Sequence, residues 1–200
     1  MPIRLGTQIQ DNDWGSLRST IKEIMRRGTD GTSDRVLKHI LANTADSSAI
    51  HTTASETNFS LTQTVSTTQY YPGRIFKVSA SGVYSTTGTP TLLFKVKIGS
   101  TTIVTFTART GINNASNQSW RVEATIVCRT TGSSGTVMGY GTVYINTATG
   151  VDTVETVVNN AATTVNTTTA QALQVSLTWS ASSSSNTATM TNFLVMLSDY

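Results

Sequence analysis

Cysteine, charge and long apolar runs are all scarce in this 200-residue chain. Its one cysteine excludes a disulfide and a multi-cysteine metal site within a single chain. Charged residues make up 12%, about half the usual share, and the formal net charge is +3. No apolar run reaches the roughly 18 residues of a transmembrane helix, and the N-terminus lacks the apolar stretch of a secretory signal. We therefore expect no membrane insertion, and because the basic residues are scattered we expect no nucleic-acid partner.

Small hydroxyl side chains take the place of charge. The chain has 39 Thr and 23 Ser, yet 38% of its residues are hydrophobic, which is enough for a packed core. The charges are unevenly distributed, because residues 1–50 hold 13 of the 25 Lys, Arg, Asp and Glu side chains. The composition turns Thr-, Ser- and Ala-rich near residues 43–57. This change predicts two parts, an N-terminal segment over residues 1–50 and a β domain over residues 51–200.

The N-terminal segment is predicted to carry a helical anchor. Asp13 is suited to cap a helix that Gly28 ends, and a helix of about 14 residues is marginal alone in water. Its apolar stripe must therefore pack on something, either on the chain's own β domain or, as an anchor, around a symmetry axis or on a larger assembly. Residues 43–48 resemble a linker, which favours the anchor. The stripe consists of Trp14, Leu17, Ile21, Ile24 and Met25.

A second apolar stretch, residues 36–41, fits a helix and a strand equally well. From residue 58 onward, alternation with a period of two predicts about nine strands at spacings of about 8–12 residues. Long connections at residues 111–119 and 150–169 favour a jelly roll over a simple meander. The predicted fold class is therefore mostly β, an antiparallel jelly-roll-like sandwich with an N-terminal α-helical anchor segment. Among the positions predicted to face inward are Leu92, Phe94, Val96, Ile98, Trp120, Val122, Ala124, Ile126, Cys128, Val137, Val143, Ile145, Leu173, Val175, Leu177 and Trp179.

Residues that could perform catalysis are few, and their spacing matches no catalytic motif. His39 and His51 lack a neighbouring acid or nucleophile, and Asp152 and Glu155 lie in a Thr-rich stretch that we predict to be a surface loop. No phosphate-binding, dinucleotide, zinc or calcium motif occurs. We therefore predict no catalytic residue, no cofactor, no metal and no enzymatic activity. Exposed aromatic rings could stack on sugars or line an interface, and the candidates are Tyr70, Tyr71, Tyr140 and Tyr144.

Several stretches of the β domain resemble a β-sandwich module that recurs in virion proteins of tailed bacteriophages. They are residues 71–78 (YPGRIFKV), 82–92 (GVYSTTGTPTL), 94–99 (FKVKIG), Trp120 with residues 128–132 (CRTTG), and 177–180 (LTWS). The resemblance extends over residues 58–200. It implies a jelly-roll-like structural domain of head decorations, fibres or tail appendages, commonly trimeric.

The expected function is that of a non-enzymatic virion structural protein. Residues 1–50 would anchor a trimeric fibre or decoration protein to a capsid, portal or tail protein, and the β domain would be exposed on the particle. The alternative is a carbohydrate-binding or host-receptor adhesion module of a tail fibre, with a host-surface glycan as its ligand. A glycan-cleaving enzyme would need carboxylates that converge in a cleft.

Overall fold

The computed structural model describes residues 38–43, 45–148 and 151–198, and β-strands dominate these residues. Apart from a single-turn 3-10 helix, η1 (Thr67–Gln69), the regular elements are strands. They are β1 (Lys38–Ala42), β2 (Thr57–Asn58), β3 (Gln63–Val65), β4 (Ile75–Ser85), β5 (Thr91–Ile98), β6 (Thr101–Thr105), β7 (Arg109–Thr110), β8 (Gln118–Thr130), β9 (Gly135–Ala148), β10 (Val151–Val158), β11 (Thr163–Val165), β12 (Gln171–Trp179) and β13 (Thr187–Ser198).

The strands form two antiparallel sheets. The larger sheet has the order β1-β13-β4-β8-β9-β10, and β11 pairs with β9 beyond the end of β10. The smaller sheet has the order β2-β12-β5-β6, with β3 on β12 and β7 on β5. Side chains from both sheets meet in one hydrophobic core. The prediction of a mostly β, antiparallel sandwich is confirmed, whereas the predicted helical anchor lies outside the described residues.

The core follows the alternation that the sequence predicts. The inward positions of β5, β8, β9 and β12 named above are all buried. Trp120 of the larger sheet stacks on Phe59, with ring centroids 5.2 Å apart, and its centroid lies 4.8 Å from that of Phe94 in the smaller sheet. Trp179 is also buried and donates its indole N–H to the carbonyl oxygen of Ile50. Both tryptophans therefore hold the sheets together.

The predicted long connection at residues 150–169 is wrong, because it contains β10 and β11. Asp152 and Glu155 consequently belong to a strand rather than a surface loop. Valines alternate imperfectly with Thr, Asp and Glu in this stretch, and the abundance of Thr made it resemble a linker. Pairing with β9 over eight residues makes it a strand.

The stretch that fitted a helix and a strand equally well contributes β1, which pairs with β13. The linker interpretation of residues 43–48 is corrected by the contacts of Asn43 and Ser47. The Asn43 side chain donates to the carbonyl oxygen of Thr191 and accepts from the amide of Phe193, both at 2.7 Å. Ser47 exchanges hydrogen bonds with the backbone of Met190. The described part of the N-terminal segment is thus fastened to the sheet.

Candidate functional site: the outer face of the larger sheet

The outer face of the larger sheet carries its polar and aromatic side chains in cross-strand rows. Thr125 lies opposite Tyr140, Glu123 opposite Thr142, and Arg121 opposite Tyr144. Residues that lie directly opposite in an antiparallel pair share a face. Because Val122, Ala124 and Ile126 point into the core, these rows face outward.

This face has two shallow depressions. The first, of about 340 Å³, is lined by Lys77, Glu123, Thr125, Tyr140, Thr142 and Met196, among others. The second, of about 450 Å³, has among its lining residues Ser81, Ser119, Arg121, Tyr144, Asn146 and Thr191. The Arg121 guanidinium stands over the Tyr144 ring, 4.3 Å from its centroid, and its Nε lies 3.7 Å from a Glu123 oxygen. The Arg121 guanidinium therefore covers one face of the Tyr144 ring, whereas Tyr140 is 49% exposed.

The four tyrosines selected from the sequence do not form one surface. Tyr70 was expected to be exposed, but it is buried, and its ring lies tilted against Phe76. The inward–outward alternation of a strand does not apply to Tyr70, because Tyr70 follows η1 and does not lie in a strand. Burial raises the pKa of its hydroxyl. Tyr71 is partly buried with the Arg74 guanidinium over its ring, and only Tyr140 and Tyr144 share the outer face of the larger sheet.

An apolar patch lies where β9 meets β10. Val154 and Val158 are 52% and 70% exposed, and Val158 lies directly opposite Tyr140. Within the described residues, these three are the large hydrophobic side chains that are exposed. We call Tyr140, Val154 and Val158 the β9–β10 patch. The two valines lie in a stretch that was predicted to be a loop, so they were not among the predicted site residues.

Glu155 fastens the inner side of β10 to the smaller sheet. Its carboxylate accepts hydrogen bonds from the amide of Thr107 at 2.9 Å and from the Thr107 hydroxyl at 2.6 Å. The Arg109 guanidinium lies 3.3 Å from the same carboxylate. Burial alone would raise the pKa of Glu155, but the hydrogen bonds from Thr107 and the charge of Arg109 outweigh it and lower the pKa. The Glu155 carboxylate therefore has a structural role, because it joins β10 to Thr107 and Arg109.

Glu56, Cys128 and His51 are the next ionisable groups to consider. Glu56 binds Lys95 and Lys97 on the smaller sheet. Cys128 is buried, and burial raises the pKa of its thiol, which disfavours the thiolate form. His51 makes a hydrogen bond with the Thr52 hydroxyl. Among the residues that the structure describes, no three His, Cys, Asp or Glu side chains are grouped to hold a metal ion.

The anchor stripe of Trp14, Leu17, Ile21, Ile24 and Met25 lies outside the described residues, and so do the side chains of His39 and Asp152. Within the described ranges, no helix is long and apolar enough to cross a membrane. In comparisons with known proteins, neither a family model nor a curated protein matches the chain.

Proposed function

We propose that the protein is a non-enzymatic structural protein of a tailed-bacteriophage virion. In this proposal it is a trimeric fibre or decoration protein that residues 1–50 anchor to the particle, with the β domain exposed. The resemblance of residues 58–200 to the phage β-sandwich module supports it. So does a Thr- and Ser-rich sandwich in which Glu56 and Glu155 bind partners of the fold itself.

The place where the described chain enters the larger sheet supports the proposal. Lys38 pairs with Leu197, so the N-terminal segment joins the sheet beside the end of β13. From there the chain runs along β13 until Ile50 pairs with Ala188 near the opposite end. A domain attached at the Lys38 end presents its opposite end outward, as an appendage on a particle does.

Hydrogen bonds organise the loops at that outward end. The Thr86 hydroxyl donates to the carbonyl oxygen of Ile112 and accepts from the amide of Ala115 at 3.0 Å. The amide of Thr87 donates to the Asn186 side chain at 3.0 Å. These bonds join the β4–β5, β7–β8 and β12–β13 loops into one surface. An ordered loop surface of this kind suits contact with another molecule.

The test determines where the protein lies on the particle and how many chains associate in solution. Purified particles of the phage that encodes this chain should contain it, and immunogold labelling should place it on the particle surface. In solution we expect a molar mass of three times 21.3 kDa, or a multiple of that trimer. Ile21→Asp, in the apolar stripe, should dissociate the trimer, whereas Ser19→Asp, on the opposite side of the predicted helix, should not. Particles without the chain, or a wild-type protein without threefold assembly, would contradict the proposal.

A second candidate function, host-glycan adhesion, is favoured by the depression beside Tyr140. A half-exposed ring stands there with Lys77, Glu123 and Thr142, and an aromatic platform with polar neighbours is what a sugar ring requires. Glycan-array binding that Tyr140→Ala reduces at least about tenfold, with Thr64→Ala on the smaller sheet as control, would support it. An array without any binding by the wild-type protein would count against it.

A further inference from the structure

Strand β10 lies at one edge of the larger sheet. Within the described residues β10 pairs with β9 alone, and none of the described strands lies on its other side. The amide of Asn159 donates to the carbonyl oxygen of Gly139 at 3.1 Å, one residue beyond the pair Val158–Tyr140. In an antiparallel pair the residues bonded to the partner strand alternate with residues whose N–H and C=O point away. The backbone groups of Val154, Thr156 and Val158 therefore point away from β9.

The side chains of the same three residues lie on the outer face of the sheet. They stand opposite Tyr144, Thr142 and Tyr140, which point outward. Val154 and Val158 thus present an apolar side chain together with backbone groups that no described strand pairs. An exposed edge of β-branched residues is a template for another strand, and native proteins usually guard such an edge with Lys, Pro or an inward charge.

β10 has few of the features that usually keep an edge strand from pairing with another chain. β10 spans eight residues, VDTVETVV, and contains neither Lys nor Pro. Its inward charge, Glu155, is bound by Thr107 and Arg109 inside the molecule, so it does not repel an approaching strand. Pairing with β9 over eight residues already holds β10 in an extended conformation, which lowers the entropic cost of pairing with a further strand.

The edge is complementary to a second copy of itself. In an antiparallel pairing centred on Thr156, that residue lies opposite Thr156 of the partner subunit. Val154 then lies opposite Val158 of the partner subunit on both sides of the axis. All of these residues have outward-facing backbone groups, so the register forms hydrogen-bonded pairs. It places no like charges opposite each other between residues 154 and 158, because Glu155 faces Val157 of the partner subunit.

We infer that β10 is a self-association strand that joins two copies of this chain edge to edge about a twofold axis at Thr156. The pairing extends the larger sheet across both copies and brings the two β9–β10 patches together. It is independent of the proposed threefold anchor. A trimeric protein that uses this contact assembles in multiples of two trimers, and a protein without the anchor assembles as a dimer.

The test measures the molar mass of the full-length chain by light scattering and sedimentation equilibrium. We expect an even number of chains. Thr156→Pro removes one edge N–H that β9 does not use, and Val158→Lys places a charge in the contact. Each of these two variants should halve the molar mass of the assembly. Thr64→Lys, on the exposed edge strand β3, should leave the molar mass unchanged.

An odd number of chains in the wild-type protein, or folded variants with the wild-type molar mass, would overturn the inference without affecting the virion proposal. Hydrogen exchange of the wild-type protein tests the same contact if the variants fail to fold. The amides of residues 154, 156 and 158 should be protected at high concentration and exposed on dilution. Rapid exchange of these amides at every concentration also overturns the inference.

Discussion

Glu56 shows how single residues hold the outer surface of the smaller sheet. One carboxylate oxygen lies 2.6 Å from the Lys95 amine and the other lies 2.5 Å from the Lys97 amine. A hydrogen bond from Ser176, at 3.1 Å, completes the set. The bonds from Lys95 and then Lys97 lower the pKa of Glu56 from 4.5 to about 2. The single negative charge of Glu56 between the two amines thereby offsets part of their mutual repulsion.

The pKa of Glu56 predicts an acid-sensitive contribution to stability. Because the pKa is lower in the folded state, the contribution is complete above about pH 4.5 and is lost as the pH falls toward 2. Glu56→Gln should lower the free energy of unfolding by about 1 kcal/mol at pH 7, and its difference from the wild-type protein should shrink between pH 4.5 and 2. Urea titrations at several pH values measure this. Glu123→Gln, at the more exposed pair with Arg121, serves as control, and an equal loss at pH 2 and 7 would contradict the assignment.

Gly82 is needed for its small size. A Cβ at this position would lie 1.9 Å from the carbonyl oxygen of Thr189 and 2.9 Å from the Cα of Met190. Backbone atoms cannot yield as a flexible side chain would, so β4 and β13 would have to separate. We expect Gly82→Ala to lower the free energy of unfolding by about 3 kcal/mol, and Ser79→Ala, on the outer face of the same strand, by at most about 0.5 kcal/mol. Thermal melting distinguishes the two variants, and equal melting temperatures would refute the argument.

At the scale of elements, the bulge in β13 explains how β1 is held. The register shifts between Met190 and Asn192, and the Asn43 side chain satisfies the displaced backbone groups of Thr191 and Phe193. Asn43→Ala should leave both groups without their partner and cost about 2 kcal/mol. Faster hydrogen exchange of the β1 amides should accompany the loss. Asn192→Ala, at an exposed position, should leave that exchange unchanged, and an Asn43 variant with wild-type protection in β1 would contradict the role.

Elements with a regular hydrophobic period could be predicted from the sequence, and those held by tertiary contacts could not. The buried positions of β5, β8 and β9 followed from alternation. β10 did not, because hydroxyl pairs such as Thr142 with Thr156, 3.1 Å apart, stabilise it across strands rather than along its sequence. The same limit applied to the site. The exposure of Tyr140 followed from its strand phase, whereas the burial of Tyr70 depends on Phe76, which a local pattern does not reveal.

At the scale of the whole molecule, the two sheets depend on one aromatic cluster. Phe94 of β5 has no exposed surface and contacts Trp120 of β8, which stacks on Phe59. These three rings come from both sheets and from the segment between β2 and β3. Neither sheet can therefore lose this contact without exposing the core of the other, so the sandwich should unfold as a unit.

Phe94→Ala tests this dependence. Removing a fully buried ring should lower the free energy of unfolding by about 3–5 kcal/mol, because it leaves a cavity between the sheets. Leu93→Ala, on the outward side of the same strand, should cost about 1 kcal/mol or less. In both variants, tryptophan fluorescence and far-ultraviolet circular dichroism should report the same urea midpoint. Separate midpoints in Phe94→Ala would mean that each sheet is stable without the other, and a loss no larger than that of Leu93→Ala would mean that the cluster does not join them.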